Sequence, residues 1–382
     1  MIINSCRICG STRTEILYER LFYYIKGRHF LNQYNACVCN NCGFGFASGI
    51  PDQVWFNQYY KECSKYDGAV DYKDKTSFEY NFLFVDAVCG FFKGSNTSIL
   101  EIGCAMGDLL QYLRDIGFTN VYGADPSHKC AANVISCGIP CVCASIDDLE
   151  TNHQYDVVIM VAVLEHICDL TGTIKKLSLV LNDDGKLIFV VPNVKKFSTV
   201  GHPPFQEFST EHINYFSEQS LANYAAVNGF RQIAAIPHDN NNALISVMCK
   251  GSDGNIKYDP DTKIALTRYI NESIKTETQI EKILSPYYGK PLVVWGVGTF
   301  TRHLLANGIL TRSDIQAFVD KNPLYSGGII TVNGRRLSVV LPEQLEADVN
   351  VPIYISSRFY QDEIIKEIRE KYSLLNKIVS LF

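Results

Sequence analysis

Between residues 82 and 250 short apolar runs alternate with stretches of helical spacing, and this alternation restricts the chain more than any other feature. Runs at 99–103, 121–125, 141–144, 156–161, 186–191, 232–236 and 244–249 have the length and residue types of strands. The first five are spaced for crossover connections, so they are expected to lie parallel. Only residues 238–243 separate the last two, too few for a crossover helix, so these two should pair antiparallel. The fold class expected is α/β: a Rossmann-like sheet with smaller units on either side.

The remainder falls into separate regions. Residues 1–50 hold paired cysteines, and 51–81 form a polar, tyrosine-rich connector. Residues 251–290 are a linker with a helix at 262–285, where Ile264, Ile270, Ile274, Ile280 and Ile283 recur near helical spacing and Pro286 closes the pattern. A second α/β unit, Rossmann-like, is expected at 291–382, with strands at 292–295, 315–319 and 352–355 and a terminal helix at 361–372. A chain of 382 residues with 47% hydrophobic and 20% charged residues can bury more than one core. Its net charge of −5 supplies no attraction to nucleic acid or to an anionic membrane, and no apolar run is long enough for a spanning helix. The first residues lack a basic stretch followed by an apolar one, as a leader would have. The 14 cysteines do not follow a secreted disulfide framework, so a reducing, cytoplasmic setting is expected.

Cys6 and Cys9, then Cys39 and Cys42, are two Cys-x-x-Cys pairs. Two thiolates separated by two residues grip one ion through a tight turn, and two such pairs complete a tetrahedron. Four sulfur ligands leave no open position, so the expectation is structural Zn²⁺, which supplies folding energy to a short segment. Cys37 is either a spare thiol or a substitute ligand.

The segment from Ser98 to Asp108 runs from an apolar strand through Glu101, Gly103 and Gly107 into a helix. Glycine at 103 permits close approach of backbone to a ligand, and glycine at 107 opens the helix beside a sugar. Asp125 ends the next strand, where a carboxylate accepts hydrogen bonds from ribose hydroxyls. Ser145, Ile146 and Asp147 follow the third strand, placed for an adenine amino group, and Glu165 with His166 follows the fourth. A dinucleotide would be repelled by so many carboxylates, whereas the ammonium of S-adenosylmethionine needs one. The cofactor expected is therefore S-adenosylmethionine, with Glu101, Gly103, Gly107, Asp125, Ser145, Ile146, Asp147 and Glu165 as its site.

With the cysteine pairs, Glu101-Ile-Gly103, Leu164-Glu165-His166, the run from Phe208 to Ser217 and the last ninety or so residues, the chain resembles the three-domain sugar methyltransferases of bacterial deoxysugar and surface-polysaccharide pathways. The resemblance implies an N-terminal zinc-binding domain, a class I methyltransferase domain and a C-terminal Rossmann-like domain. It also implies a nucleotide-linked sugar as substrate and Glu211 and His212 as the catalytic pair, His212 being the base. Histidine titrates near neutral pH, so it can take a proton from a carbon beside a ketone or from a hydroxyl. Ser209 and Thr210 stand where those C-methyltransferases carry an aromatic residue and a histidine. The turn from Gly296 to Thr301 lacks their lysine. Transfer to oxygen or nitrogen of a glycan or small molecule, and a non-catalytic binding module, are the alternatives. Tyrosines 59, 60, 66 and 72 of the connector are candidates for ordering substrate or cofactor.

Overall fold

The computed structural model describes residues 2–62, 84–199, 203–237, 242–251, 254–346, 348–358 and 360–381. Tyr66 and Tyr72 lie outside the described residues. The chain divides into two compact units. The first comprises Met1–Leu17, Ala36–Val200 and Glu211–Leu266, and the second Tyr18–Asn35, Gly201–Thr210 and Thr267–Phe382.

The first unit is built on seven strands: β1 (Ile99–Ile102), β2 (Val121–Asp125), β3 (Cys141–Cys143), β4 (Tyr155–Val161), β5 (Leu181–Pro192), β6 (Phe230–Pro237) and β7 (Ala243–Lys250). They lie in the order β3-β2-β1-β4-β5-β7-β6. The first five are parallel, and β7 runs antiparallel to both β5 and β6. The expected α/β fold with a class I methyltransferase sheet is what the chain adopts. Helices α1 (Asp108–Asp115), α2 (His128–Ser136), α3 (Leu170–Val180) and α4 (Glu218–Val227) connect the strands.

Both faces of the sheet are covered, as parallel strands require. Leu100 and Ile102 of β1, Val158 and Met160 of β4 and Phe189 of β5 pack into one core with Ile174 and Leu177 of α3. Ile99, Val157, Ile159 and Ile188 alternate onto the other face, against Leu109, Leu110 and Leu113 of α1. The two-residue period places Glu101 on this second face, among apolar neighbours. Helix α4 begins at Ser217, whose hydroxyl accepts from the Ser220 amide while Ser220 Oγ accepts from the Ser217 amide, a reciprocal cap.

The cysteine-bearing segment belongs to the same unit. Strand Gly45–Ser48 pairs antiparallel with Asn214–Tyr215, setting Asn214 opposite Phe46 and Tyr215 opposite Gly45. The connector begins with a helix, Gln53–Glu62, that the sequence pattern did not announce.

The second unit holds a six-stranded sheet. Its order is Ile329–Val332, Arg335–Val340, Asp314–Val319, Pro291–Trp295, Ile353–Ile355, Ile378–Val379. The three expected strands are its centre, and helix Asp261–Leu284 leads into it. The terminal helix is shorter in regular form than expected: Gln361–Lys366 is α-helical, and Glu367–Lys371 continues as a π-turn.

Candidate functional site: a carboxylate-lined cavity and a four-cysteine cluster

In this strand order the chain leaves β1 toward β2 on one side and returns to β4 on the other. Ligands of open α/β sheets sit in the crevice this reversal creates beyond the strand ends. A cavity of about 260 Å³ lies there, lined among others by Ile102, Gly103, Asp125, Ser145, Ile146, Asp147, Val163, His166, Glu211 and His212.

The loop after β1 turns through Gly103 (φ +75°), Ala105 (φ +47°) and Gly107 (φ +82°). A Cβ on Gly103 would stand 2.5 Å from Val163 Cγ2, so this glycine lets the β1 and β4 ends meet at the crevice. Gly107 does not border the cavity. A Cβ there would meet Val134 Cγ2 of α2 at 2.7 Å, so helix packing, rather than a sugar, demands glycine.

Asp125 is buried, with Oδ2 accepting from the Ala105 amide (2.9 Å) and Oδ1 from the Ser127 amide (2.9 Å). It thereby ties the glycine loop to the end of β2 while lining the cavity. Beyond β3, Ser145 Oγ donates to Asp148 Oδ2 (2.9 Å), Ile146 is buried, and Asp147 Oδ2 accepts from Asn57 Nδ2 (3.1 Å).

Glu101 differs from expectation in its placement. It is buried, it does not line the cavity, and its Oε2 has no hydrogen-bond partner among the described residues. Burial first, then the charges of Asp125, Asp108 and Cys141, push its carboxyl well above the usual range. Glu165 likewise is buried and off the cavity wall. Its Oε1 lies 3.9 Å from His166 Nε2.

Within the cavity lining, His166 and His212 stand edge to face, ring centroids 5.0 Å apart. His166 Nδ1 donates to the Glu211 carbonyl (3.0 Å). Tyr59 donates its hydroxyl to Glu211 Oε1 (2.7 Å), and Tyr60 sets its ring edge to face with that of His166. Burial, then Glu211 and Glu165, raise the Tyr60 phenol well above its ordinary value, so it stays protonated.

Of helix Gln53–Glu62 the sequence singled out Tyr59 and Tyr60, but not the helix itself nor its Gln53 and Asn57. Gln53, Asn57 and Tyr60 line the cavity, and Gln53 Oε1 accepts from the Cys168 amide (2.8 Å) just past His166. The available signal was the buried pair Phe56 and Tyr59 within a run whose polarity masked it.

The four expected cysteines converge: the Sγ atoms of Cys6, Cys9, Cys39 and Cys42 all lie within 4.8 Å of one another. Cys6 and Cys42 are 3.6 Å apart, and Cys9 and Cys39 are 3.5 Å apart. A tetrahedron of Zn–S bonds about 2.3 Å long has edges of about 3.8 Å, so the spacing fits. Each knuckle closes on a glycine, with the Gly10 amide bonded to the Cys6 carbonyl and the Gly43 amide to the Cys39 carbonyl, both at 2.9 Å. Without a cation these thiols compete for charge. Contact with Cys42 and Cys6 holds Cys39 low, whereas contact with Cys39 pushes Cys6 up to about 12 and Cys42 further up. A divalent ion would let all four ionise. Cys37 stands outside the cluster, its Sγ 3.0 Å from Ser48 Oγ.

In the second unit, Asp320 spends both carboxylate oxygens on backbone amides, Oδ2 on Val297 (2.7 Å) and Oδ1 on Asn322 (2.8 Å). The Gly296 turn is thus braced from within.

Residues 75–235 match the family model of a methyltransferase domain. This stretch of the chain matches a methyltransferase domain and carries the class I strand order described above. Among curated proteins, the chain is 27% identical over 96 residues to a ubiquinone biosynthesis O-methyltransferase of Bradyrhizobium diazoefficiens, covering 24% of this chain and 38% of that one. It is 32% identical over 126 residues to a malonyl-[acyl-carrier protein] O-methyltransferase of Acetivibrio thermocellus, covering 32% and 41%. The chain thus spans about two-fifths of the length of these relatives. Among solved structures, 1,6-didemethyltoxoflavin-N1-methyltransferase of Burkholderia thailandensis superposes with a TM-score of 0.42 at 15% identity, covering 56% of this chain and 98% of that one.

Proposed function

We propose that the protein is an S-adenosylmethionine-dependent methyltransferase acting on a small molecule, a sugar carried on a nucleotide, with His212 as general base. The observation that carries this reading is that Glu211 and His212, remote in sequence from the glycine loop, line the same cavity as Gly103, Asp125 and Asp147. S-adenosylmethionine, when bound, supplies an electrophilic methyl group. The residues divide the work along the cavity. Asp147, steadied by Asn57, accepts at the adenine end, and Asp125 accepts from the ribose. His212 takes the proton of the acceptor, and Glu211, held by Tyr59, stabilises the imidazolium that results. Aligning donor and acceptor supplies the rest of the acceleration.

Structural Zn²⁺ in the four-cysteine cluster, the division into zinc-binding (1–50), methyltransferase (82–250) and Rossmann-like (291–382) parts, and a cytoplasmic setting belong to the same proposal. The test is incubation with keto-sugar nucleotides in deuterated water without S-adenosylmethionine. Exchange at the carbon beside the ketone, abolished by His212→Asn, supports transfer to carbon. Methyl transfer to a hydroxyl without such exchange would assign the same base to O-methylation. Both curated relatives named above are O-methyltransferases, and that keeps the second outcome in view.

A further inference from the structure

Arg7 follows directly on Cys6, and its guanidinium is buried. Nη1 donates to the Ile213 carbonyl and to Asn214 Oδ1, both at 3.0 Å, and Nη2 donates to the Ala47 carbonyl at 2.6 Å. The Asn214 amide passes the connection on, its Nδ2 donating to the carbonyls of Leu164 (3.0 Å) and Ile167 (2.8 Å), which flank Glu165 and His166. The Ile213 amide donates to the Glu165 carbonyl (2.9 Å), and the Ile213 carbonyl also accepts from the Ala47 amide (2.9 Å). With the bond from His166 to the Glu211 carbonyl, the peptides on both sides of His212 are fixed.

The guanidinium is suited to this place. Its planar fork serves three acceptors from two strands at once, which an ammonium on a flexible stem cannot do. All three acceptors are neutral, and among the described residues no carboxylate pairs with Arg7. Arg7 is joined by one peptide bond to Cys6, whose knuckle closes through the Gly10 amide, so an ion gripped by that knuckle would also fix the backbone from which the guanidinium reaches residues 47, 213 and 214. Arg7 is thus the covalent and hydrogen-bonded link between the first cysteine knuckle and residues 213 and 214.

We propose that Arg7 is a positioning residue that couples the four-cysteine site to the Glu211–His212 pair: it holds the backbone around His212, so that metal loading orders the acceptor end of the cavity. This rests on the reading of that pair as the acceptor-side machinery, but its test does not require methyl transfer.

Hydrogen exchange is measured on the full-length, zinc-loaded chain for wild type, Arg7→Met and Arg7→Lys, with S-adenosylhomocysteine affinity measured by calorimetry alongside. In Arg7→Met, peptides covering 211–216 and 164–168 are expected to exchange at least about tenfold faster, while those of β1 and β2 keep their rates. Affinity for S-adenosylhomocysteine should stay within about threefold, because the glycine loop and Asp125 are untouched. Arg7→Lys, which keeps the charge but not the fork, should fall between. If Arg7→Met does not fold, Arg7→Lys alone carries the comparison. Removing zinc from the wild type should loosen the same peptides first. Unchanged protection at 211–216, or loosening spread evenly across the sheet, overturns the coupling. Loss of S-adenosylhomocysteine binding by the wild type would instead sink the cofactor reading.

Discussion

His212 and Glu101 test the site residue by residue, because one opens on the cavity and the other does not. His212→Asn keeps a polar side chain of smaller size but removes the base. Turnover with an accepted substrate should fall about 10²- to 10⁴-fold, while S-adenosylhomocysteine affinity, measured by calorimetry, changes little. Equal loss of both would make His212 a binding residue. Glu101 carries a raised folded-state pKa. A carboxyl raised above its unfolded value favours the folded chain at low pH and opposes it as pH climbs from the unfolded to the folded pKa. Glu101→Gln is therefore expected to raise the thermal midpoint at pH 8, with the gain shrinking toward pH 5. Scanning fluorimetry of the ligand-free chain across that range reads the difference, and a uniform loss at every pH would contradict it.

At the scale of elements, the glycine loop owes its form to two neighbours. Gly107→Ala combines a left-handed φ with the Val134 contact, so it should cost about 1–3 kcal/mol in denaturant unfolding. Adding Val134→Ala removes the contact but not the dihedral, so only part should return. A full recovery would show that the dihedral costs nothing. The alternation of apolar runs made each of the seven strands of the first sheet legible: β1 and β7, buried on both faces, read as continuous apolar stretches, while the partly exposed edge strands β3 and β6 showed through residue type and spacing. The two-residue spacing of the cysteine pairs made their convergence legible as well. Three features were not. Gln53–Glu62 is polar on the side that meets the cavity, so its helical period is diluted. Strands Ile329–Val332 and Arg335–Val340 form a hairpin with exposed, charged positions. The orientation of Glu101 away from the cavity follows from strand register, which a motif does not encode.

For the molecule as a whole, the four-cysteine cluster joins local folding to the cavity wall. Chelation under reducing conditions should release one zinc per chain and lower the thermal midpoint by several degrees. Cys39→Ser should do the same, while Cys37→Ser, bonded to Ser48 outside the cluster, should keep its metal. Metal analysis beside scanning fluorimetry checks both, and an unaltered midpoint in metal-free protein would make the site dispensable. Calorimetry of S-adenosylmethionine against folded, zinc-loaded chain tests the cofactor site most directly. Saturable binding at one site per chain is expected, weakened at least about tenfold by Asp125→Ala through loss of both the ribose acceptor and the Ala105 tether. The absence of binding to folded, zinc-loaded wild type would contradict this expectation.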